Sequence, residues 1–202
     1  MILDGHQPCS RPSFSPQAGP GWLVHLGTAT ETTESQQRIY DFLDDGIVKG
    51  DRIFHVGVGC STLAQRYARR ATVRGCTVHP GERDHGLALG IAGYEIDVAD
   101  KHDPHYLATL TECEPFDFVV DNNPASFACC WYHFLATHRA FMGLLEPGGR
   151  LLHETPRGLN WVASNSAKIV IGDNDLEQLA DLYGATFDRP TRRVIALRRV
   201  DP

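Results

Sequence analysis

Several features that would place this chain in a specialised class are missing. None of its six cysteines, at positions 9, 60, 76, 113, 129 and 130, forms the C-x-x-C pair typical of metal and redox sites. Cys129 and Cys130 are neighbours, and the expectation is two packed thiols at the start of a buried helix, because free cysteine behaves as a small apolar residue. The amino-terminal segment has no basic-then-apolar leader, so a reduced, cytoplasmic setting is expected. No apolar run approaches the ~20 residues that span a bilayer. Positive charge is in deficit: Lys and Arg number 19 against 25 Asp and Glu, for a net charge of −6. That argues against a protein that holds nucleic acid by bulk charge. Arg189, Arg192, Arg193, Arg198 and Arg199 cluster near the carboxyl end, but on a hairpin such residues form a solvated face. Ten histidines are present, without H-E-x-x-H spacing. The His102, His105, Asp100 and Asp103 group lacks a cysteine partner, and no metal is expected.

What is present suffices for one folded domain. The chain has 202 residues, 42% of them hydrophobic, with nine phenylalanines, enough for a full core. Pro8, Pro12, Pro16 and Pro20 punctuate residues 1–21, which are expected to form a flexible arm or a substrate-side lid, with Trp22 at its base. Residues 22–202 form the single domain. Ile39, Phe42, Leu43 and Ile47 recur at helical spacing from about Thr33, with Thr32 or Thr33 as the cap. Arg52–Val56 is a short apolar run typical of a buried parallel strand. It ends in Gly57-Val58-Gly59-Cys60-Ser61, and Ser61 is expected to cap the next helix. Further strands are expected over 72–79, 94–98, 116–120 and from Arg150 to His153, with helices over 82–91, 105–111, 129–145 and 176–183 between them. Pro147-Gly148-Gly149 reads as a turn. Two final strands, 186–188 and 194–198, flank the Arg-Pro-Thr-Arg turn. Alternating strands and helices argue for a parallel sheet covered on both faces, and the terminal strand–turn–strand implies one antiparallel strand.

Three segments carry a family resemblance. His55–Ser61 is a glycine-rich turn from strand to helix, where Gly57 permits the tight turn and Gly59 lets backbone N–H groups approach a ligand. Phe116–Pro124 is a buried strand with an acidic end. Leu144–Leu152 carries an L-x-P-G-G-x-L pattern. Together with the terminal hairpin, these resemble the class I S-adenosylmethionine-dependent methyltransferases over roughly Ile47–Arg198. The resemblance implies an α/β, three-layer, Rossmann-like sheet of seven strands, mostly parallel with an antiparallel C-terminal strand. It implies S-adenosylmethionine (SAM) as cofactor at the carboxyl ends of the first strands.

Carried over residue by residue, the resemblance assigns cofactor binding to His55, Gly57, Gly59, Ser61, Thr77, His79, Asp97 and Asp121. His55 stands where the family has an acid, and Asp51 is the alternative acid. Thr77 stands where the family has a ribose-binding carboxylate, with Glu82 as the alternative. Asp100 competes with Asp97 for the adenine. Asn122, Asn123 and Glu154 are expected to face substrate. Asp121 and His133 are the expected catalytic residues, His133 as a base near neutral pH, with His153 or Glu154 as rival. His138 lies five residues after His133, so at most one of the two is expected to point to the site.

The implied activity is methyl transfer to an oxygen or nitrogen of a small molecule, with specialised metabolite biosynthesis expected from the small acidic core. The expected partners are that substrate and, in a homodimer, a second copy of the chain; neither nucleic acid nor membrane is expected. Three alternatives stand beside it: a nucleic-acid base methyltransferase, a SAM-fold binding protein without transferase activity, and an NAD-binding domain.

Overall fold

Thr33 opens the first helix with a reciprocal capping box. Its hydroxyl accepts from the Gln36 backbone N–H at 3.2 Å, and the Gln36 side chain accepts from the Thr33 N–H at 2.9 Å. Two orphan donors of the first turn are thereby satisfied. The computed structural model describes residues 7–10, 32–122, 124, 130–154, 159–162, 168–171, 173–191 and 193–200. The helices are α1 (Glu34–Gly46), α2 (Thr62–Tyr67), α3 (Pro80–Ala88), α4 (Pro104–Leu110), α5 (Trp131–Gly143) and α6 (Asp173–Leu182). The strands are β1 (Arg52–Val56), β2 (Thr72–Thr77), β3 (Glu95–Val98), β4 (Phe116–Asp121), β5 (Leu145–Glu154), β6 (Leu159–Val162), β7 (Lys168–Ile171), β8 (Ala185–Asp188) and β9 (Val194–Arg199). Among the described residues no helix is long and apolar enough to cross a membrane.

Seven strands form one sheet in the order β3-β2-β1-β4-β5-β9-β8. β1 pairs in parallel with both β2 and β4, and β9 enters antiparallel between β5 and β8. The expected architecture is therefore present, including the antiparallel strand. β1 is followed by β2 on one side and flanked by β4 on the other. This is the switch point where an open α/β sheet leaves a crevice beyond its strand ends.

Alternation along the strands sends side chains to two cores. Ile53 joins Ile39, Leu43 and Tyr67 from α1 and α2, while Phe54 and Val56 join Leu107, Phe141 and Ala180 from α4, α5 and α6. Phe54 lies 5.5 Å from the Phe116 ring and 6.2 Å from Phe141. Burying one such side chain is worth about 1.5–3 kcal/mol.

Two local expectations are corrected, and one pair of strands is new. Ser61 sits at the N-cap position of α2 but makes no cap hydrogen bond: its φ is 57°, and its hydroxyl accepts instead from the Tyr94 O–H at 3.0 Å. Pro147-Gly148-Gly149 lies within β5 as an irregularity, where the register against β4 shifts between Phe116 and Phe118. A Cβ at Gly149 would come within 2.9–3.1 Å of the carbonyls of Glu146, Phe116 and Asp117, so only glycine fits that approach. The antiparallel pair β6–β7 was not expected.

Candidate active site

The glycine corner is open. Gly57 and Gly59 adopt φ of +73° and +50°, a left-handed conformation costly for side-chain-bearing residues, and among the described residues no atom beyond the chain neighbours lies within 4 Å of where either would carry a Cβ. The Gly57 N–H is held by the Cys76 carbonyl at 2.8 Å, which fixes the corner against β2. The loop is pressed down from behind: a Cβ on Gly75 would come within 2.3 Å of Val58 Cγ1.

His55 ends up buried in β1, 1% exposed, and its Nδ1 has no hydrogen-bond partner among the described residues. Burial pushes its pKa down to about 4, against a smaller upward pull from the Asp121 charge. It is therefore a neutral imidazole at pH 7. Asp51, the alternative acid, lies at the other end of β1. Its carboxylate accepts from the Val48 N–H at 2.8 Å and helps line a groove with Pro147 and Gly148 at the amino ends of the strands, so it cannot replace an acid at the corner.

At the end of β2, Thr77 and Glu82 are both buried and hydrogen bonded through Thr77 Oγ1 and the Glu82 carboxylate. Thr77 Oγ1 also accepts from the His79 N–H at 3.1 Å. Glu82 lies in the first turn of α3, where the helix dipole favours a negative charge. It is close enough to the loop to raise, after burial, the pKa of the Cys60 thiol. The carboxylate absent from the strand end is thus supplied from the following helix. His79 is buried as the N-cap residue of α3.

At β3 the two candidate acids separate. The Asp97 carboxylate accepts from Arg74 at 3.0 Å and from the Tyr106 hydroxyl at 3.0 Å, which commits it to an ion pair beside α4. Asp100, past the strand's carboxyl end, is 1% exposed and accepts from the His102 N–H at 2.9 Å. Asp100, not Asp97, is the acid at the crevice end of β3.

Asp121 closes β4 and is paired with Lys101 at 2.8 Å, with both side chains about 95% buried or more. The pair ties the loop after β3 to the end of β4, past the ends of β2 and β1 that lie between them in the sheet. Asn122 is half-buried beyond it, while Asn123 lies outside the described residues. Glu154 closes β5, where Arg38 of α1 binds it at 2.6 Å. Neither Lys101 nor Arg38 belonged to any sequence motif.

His133 and His138 are both buried and meet different partners. His138 Nε2 meets His153 Nε2 at 3.1 Å, while His138 Nδ1 faces the Phe134 carbonyl at 2.9 Å and His153 Nδ1 the Asp121 carbonyl at 2.8 Å. A carbonyl only accepts, so each ring spends its Nδ1 proton there, and the Nε2 contact closes as a hydrogen bond only with one further proton. Burial first, for both rings, opposes that charge and pushes their pKa values down. His133 instead lies against Cys130 and Cys9, with its Nδ1 at 3.1 and 3.5 Å from the two sulfurs.

This arrangement, a β3-β2-β1-β4-β5-β9-β8 sheet with an open two-glycine corner at its switch point, defines the fold of the class I SAM-dependent methyltransferases. No protein family and no curated protein matches the sequence. Among solved structures the chain is similar to the N-methyltransferase NodS from Bradyrhizobium japonicum WM9 in complex with S-adenosyl-L-homocysteine, with a TM-score of 0.65, 11% identity, and coverage of 90% of this chain and 97% of that one. It is also similar to the sugar N-methyltransferase KedS8 from Streptoalloteichus sp ATCC 53650 (TM-score 0.61, 13% identity, 98% of this chain and 100% of that one). The [4+2]-cyclase SpnF shares the fold as well (TM-score 0.60, 17% identity, 84% of this chain and 70% of that one). At these identities the likeness is one of fold.

Proposed function

We propose that this chain transfers a methyl group from SAM to an oxygen or nitrogen of a small molecule, in the biosynthesis of a specialised metabolite. The observation that carries the reading is the open Gly57–Gly59 corner at the switch point, with Glu82 and Asp100 beyond β2 and β3 on one side of β1 and Asp121 at the end of β4 on the other. The residues fit the cofactor. The exposed corner admits a chain that passes close to the backbone. The Thr77–Glu82 pair presents a buried carboxylate for a ribose diol, and Asp100 an acceptor for an adenine amino group. His55, neutral and with no partner for its Nδ1 among the described residues, offers a hydrogen-bond acceptor where the family has a charge. NodS and KedS8 are N-methyltransferases, and the net charge of −6 suits a small substrate better than a nucleic acid.

SAM supplies an electrophilic methyl on a sulfonium. The protein's part is alignment, which can supply several kcal/mol. Lys101 holds Asp121 at the end of β4, and Arg38 holds Glu154 at the end of β5, so two carboxylates stand in fixed positions along the rim. Held in place, they can orient an acceptor by accepting its hydrogen bonds.

A second reading has its own support: the fold kept for another use. SpnF carries the fold and is described as a [4+2]-cyclase, and His55 and Thr77 replace two acids. Calorimetry with SAM, its demethylated product and NAD separates the readings. Binding of SAM at tens of micromolar, weakened about 10- to 100-fold by Glu82→Gln through loss of a charged hydrogen bond, supports the proposal. Product formation from an amine or hydroxyl acceptor panel completes it. Tight SAM binding without transfer favours the second reading, and no SAM binding at tens of micromolar removes the transferase reading.

A further inference from the structure

Three metal-binding side chains from distant parts of the sequence converge beside the start of α5. Cys9 belongs to the amino-terminal arm, Cys130 is the N-cap residue of α5, and His133 lies in its first turn. Cys9 Sγ, Cys130 Sγ and one His133 ring nitrogen all lie within 4.8 Å of one another. Both sulfurs approach the same atom, His133 Nδ1, at 3.5 and 3.1 Å. As thiolates, the two sulfurs can each direct a lone pair to one cation set among the three, as can the ring nitrogen. Tetrahedral zinc, with bonds of about 2.3 Å to sulfur and about 2.0–2.1 Å to nitrogen, sets sulfur and nitrogen roughly 3.5 Å apart.

We infer that Cys9, Cys130 and His133 bind one zinc ion, which clasps the amino-terminal arm to the first turn of α5. The chemistry of the set is that of zinc: two thiolates and an imidazole, with no carboxylate in the cluster. Cys130 stands at the amino end of a 13-residue helix, where the dipole favours a thiolate. Binding displaces the two thiol protons, so affinity rises with pH. α5 follows β4, whose end carries Asp121, so the clasp draws the arm to the crevice side of the sheet. His133 is then a metal ligand, and the sequence-based expectations of a catalytic His133, of Cys130 as a packed thiol and of no metal give way together. The inference does not depend on methyl transfer, and its test does not measure it.

The test is metal analysis of the full-length chain, purified under reducing conditions without chelator and then equilibrated with zinc sulfate. The expected result is one tightly held zinc per chain. Cys130→Ala and His133→Ala each abolish it, Cys9→Ala weakens it, and Cys113→Ser, remote from the cluster, leaves it intact. Far-ultraviolet circular dichroism checks that each variant is folded. With cobalt in place of zinc, the wild-type chain shows the sulfur-to-cobalt charge-transfer band and the intense visible bands of a tetrahedral site, and both variants of the α5 ligands lose them. A folded wild-type chain that retains no zinc overturns the inference. So does zinc retention unchanged in Cys130→Ala and His133→Ala, or a Cys9–Cys130 disulfide found in place of metal.

Discussion

Lowering the pH from 8 to 5 is expected to cost the fold about 2 kcal/mol through His55 alone. Its imidazole is buried to 1% exposure with an unpartnered Nδ1, and its pKa falls from 6.5 to about 4 on folding. Above pH 6.5 both folded and unfolded chains carry it neutral, and nothing is lost. Below 6.5 the unfolded chain takes up a proton that the folded chain refuses, so stability falls as pH falls, and the loss is complete only below pH 4. One pH unit between these limits is worth about 1.4 kcal/mol, and integration from pH 8 to 5 gives about 2 kcal/mol. His138 and His153, both lowered by burial, add to the loss in the same direction. The assay is urea unfolding followed by tryptophan fluorescence at half-unit pH steps, in wild type and His55→Gln. The variant keeps a polar side chain without a titrating group, so its stability should fall by about 2 kcal/mol less over that range. Parallel curves for the two proteins, or a wild-type curve flat between pH 6.5 and 5, would refute the burial argument for His55.

Other perturbations follow from the same contacts. Gly75→Ala places a methyl 2.3 Å from Val58 Cγ1 and 2.9 Å from the His55 carbonyl; overpacking of this kind costs about 1–3 kcal/mol. The expected readouts are a lower Tm and weaker SAM binding, because Val58 is part of the corner. Lys101→Met leaves the Asp121 carboxylate buried without its ammonium partner, at an expected cost of about 3–5 kcal/mol in denaturant unfolding. The double variant Lys101→Met with Asp121→Asn should recover part of that stability while still impairing any methyl transfer. Gly59→Ala, at φ +50°, is expected to lose about 1–2 kcal/mol and to weaken SAM binding measured by calorimetry.

The elements that could be read from the sequence are those whose signal is local. Arg52–Val56 was read with the bounds the structure has, because an apolar run ending in glycine needs no distant partner to declare itself. Thr33 closes a capping box within four residues, and the open corner follows from Gly57 and Gly59 alone. Where local chemistry admits two outcomes, the reading failed. Ser61 has the side chain of a helix cap, but Tyr94, 33 residues on, takes its hydroxyl. Pro147-Gly148-Gly149 has the composition of a turn, yet pairing with β4 draws it into a strand.

The amino-acid order by itself determined the alternation of strands and helices, the antiparallel final strand and the glycine corner, because periodicity and turn chemistry act over a few residues. The site's charges were decided by tertiary structure. Arg38 meets Glu154 across 116 residues and Cys9 meets His133 across 124, and no spacing rule reaches that far. Asp97 and Asp100 are the same residue type three positions apart. Only the packing of β2 and α4 beside β3 gives one to Arg74 and leaves the other at the crevice, since an ion pair depends on distance in space rather than along the chain.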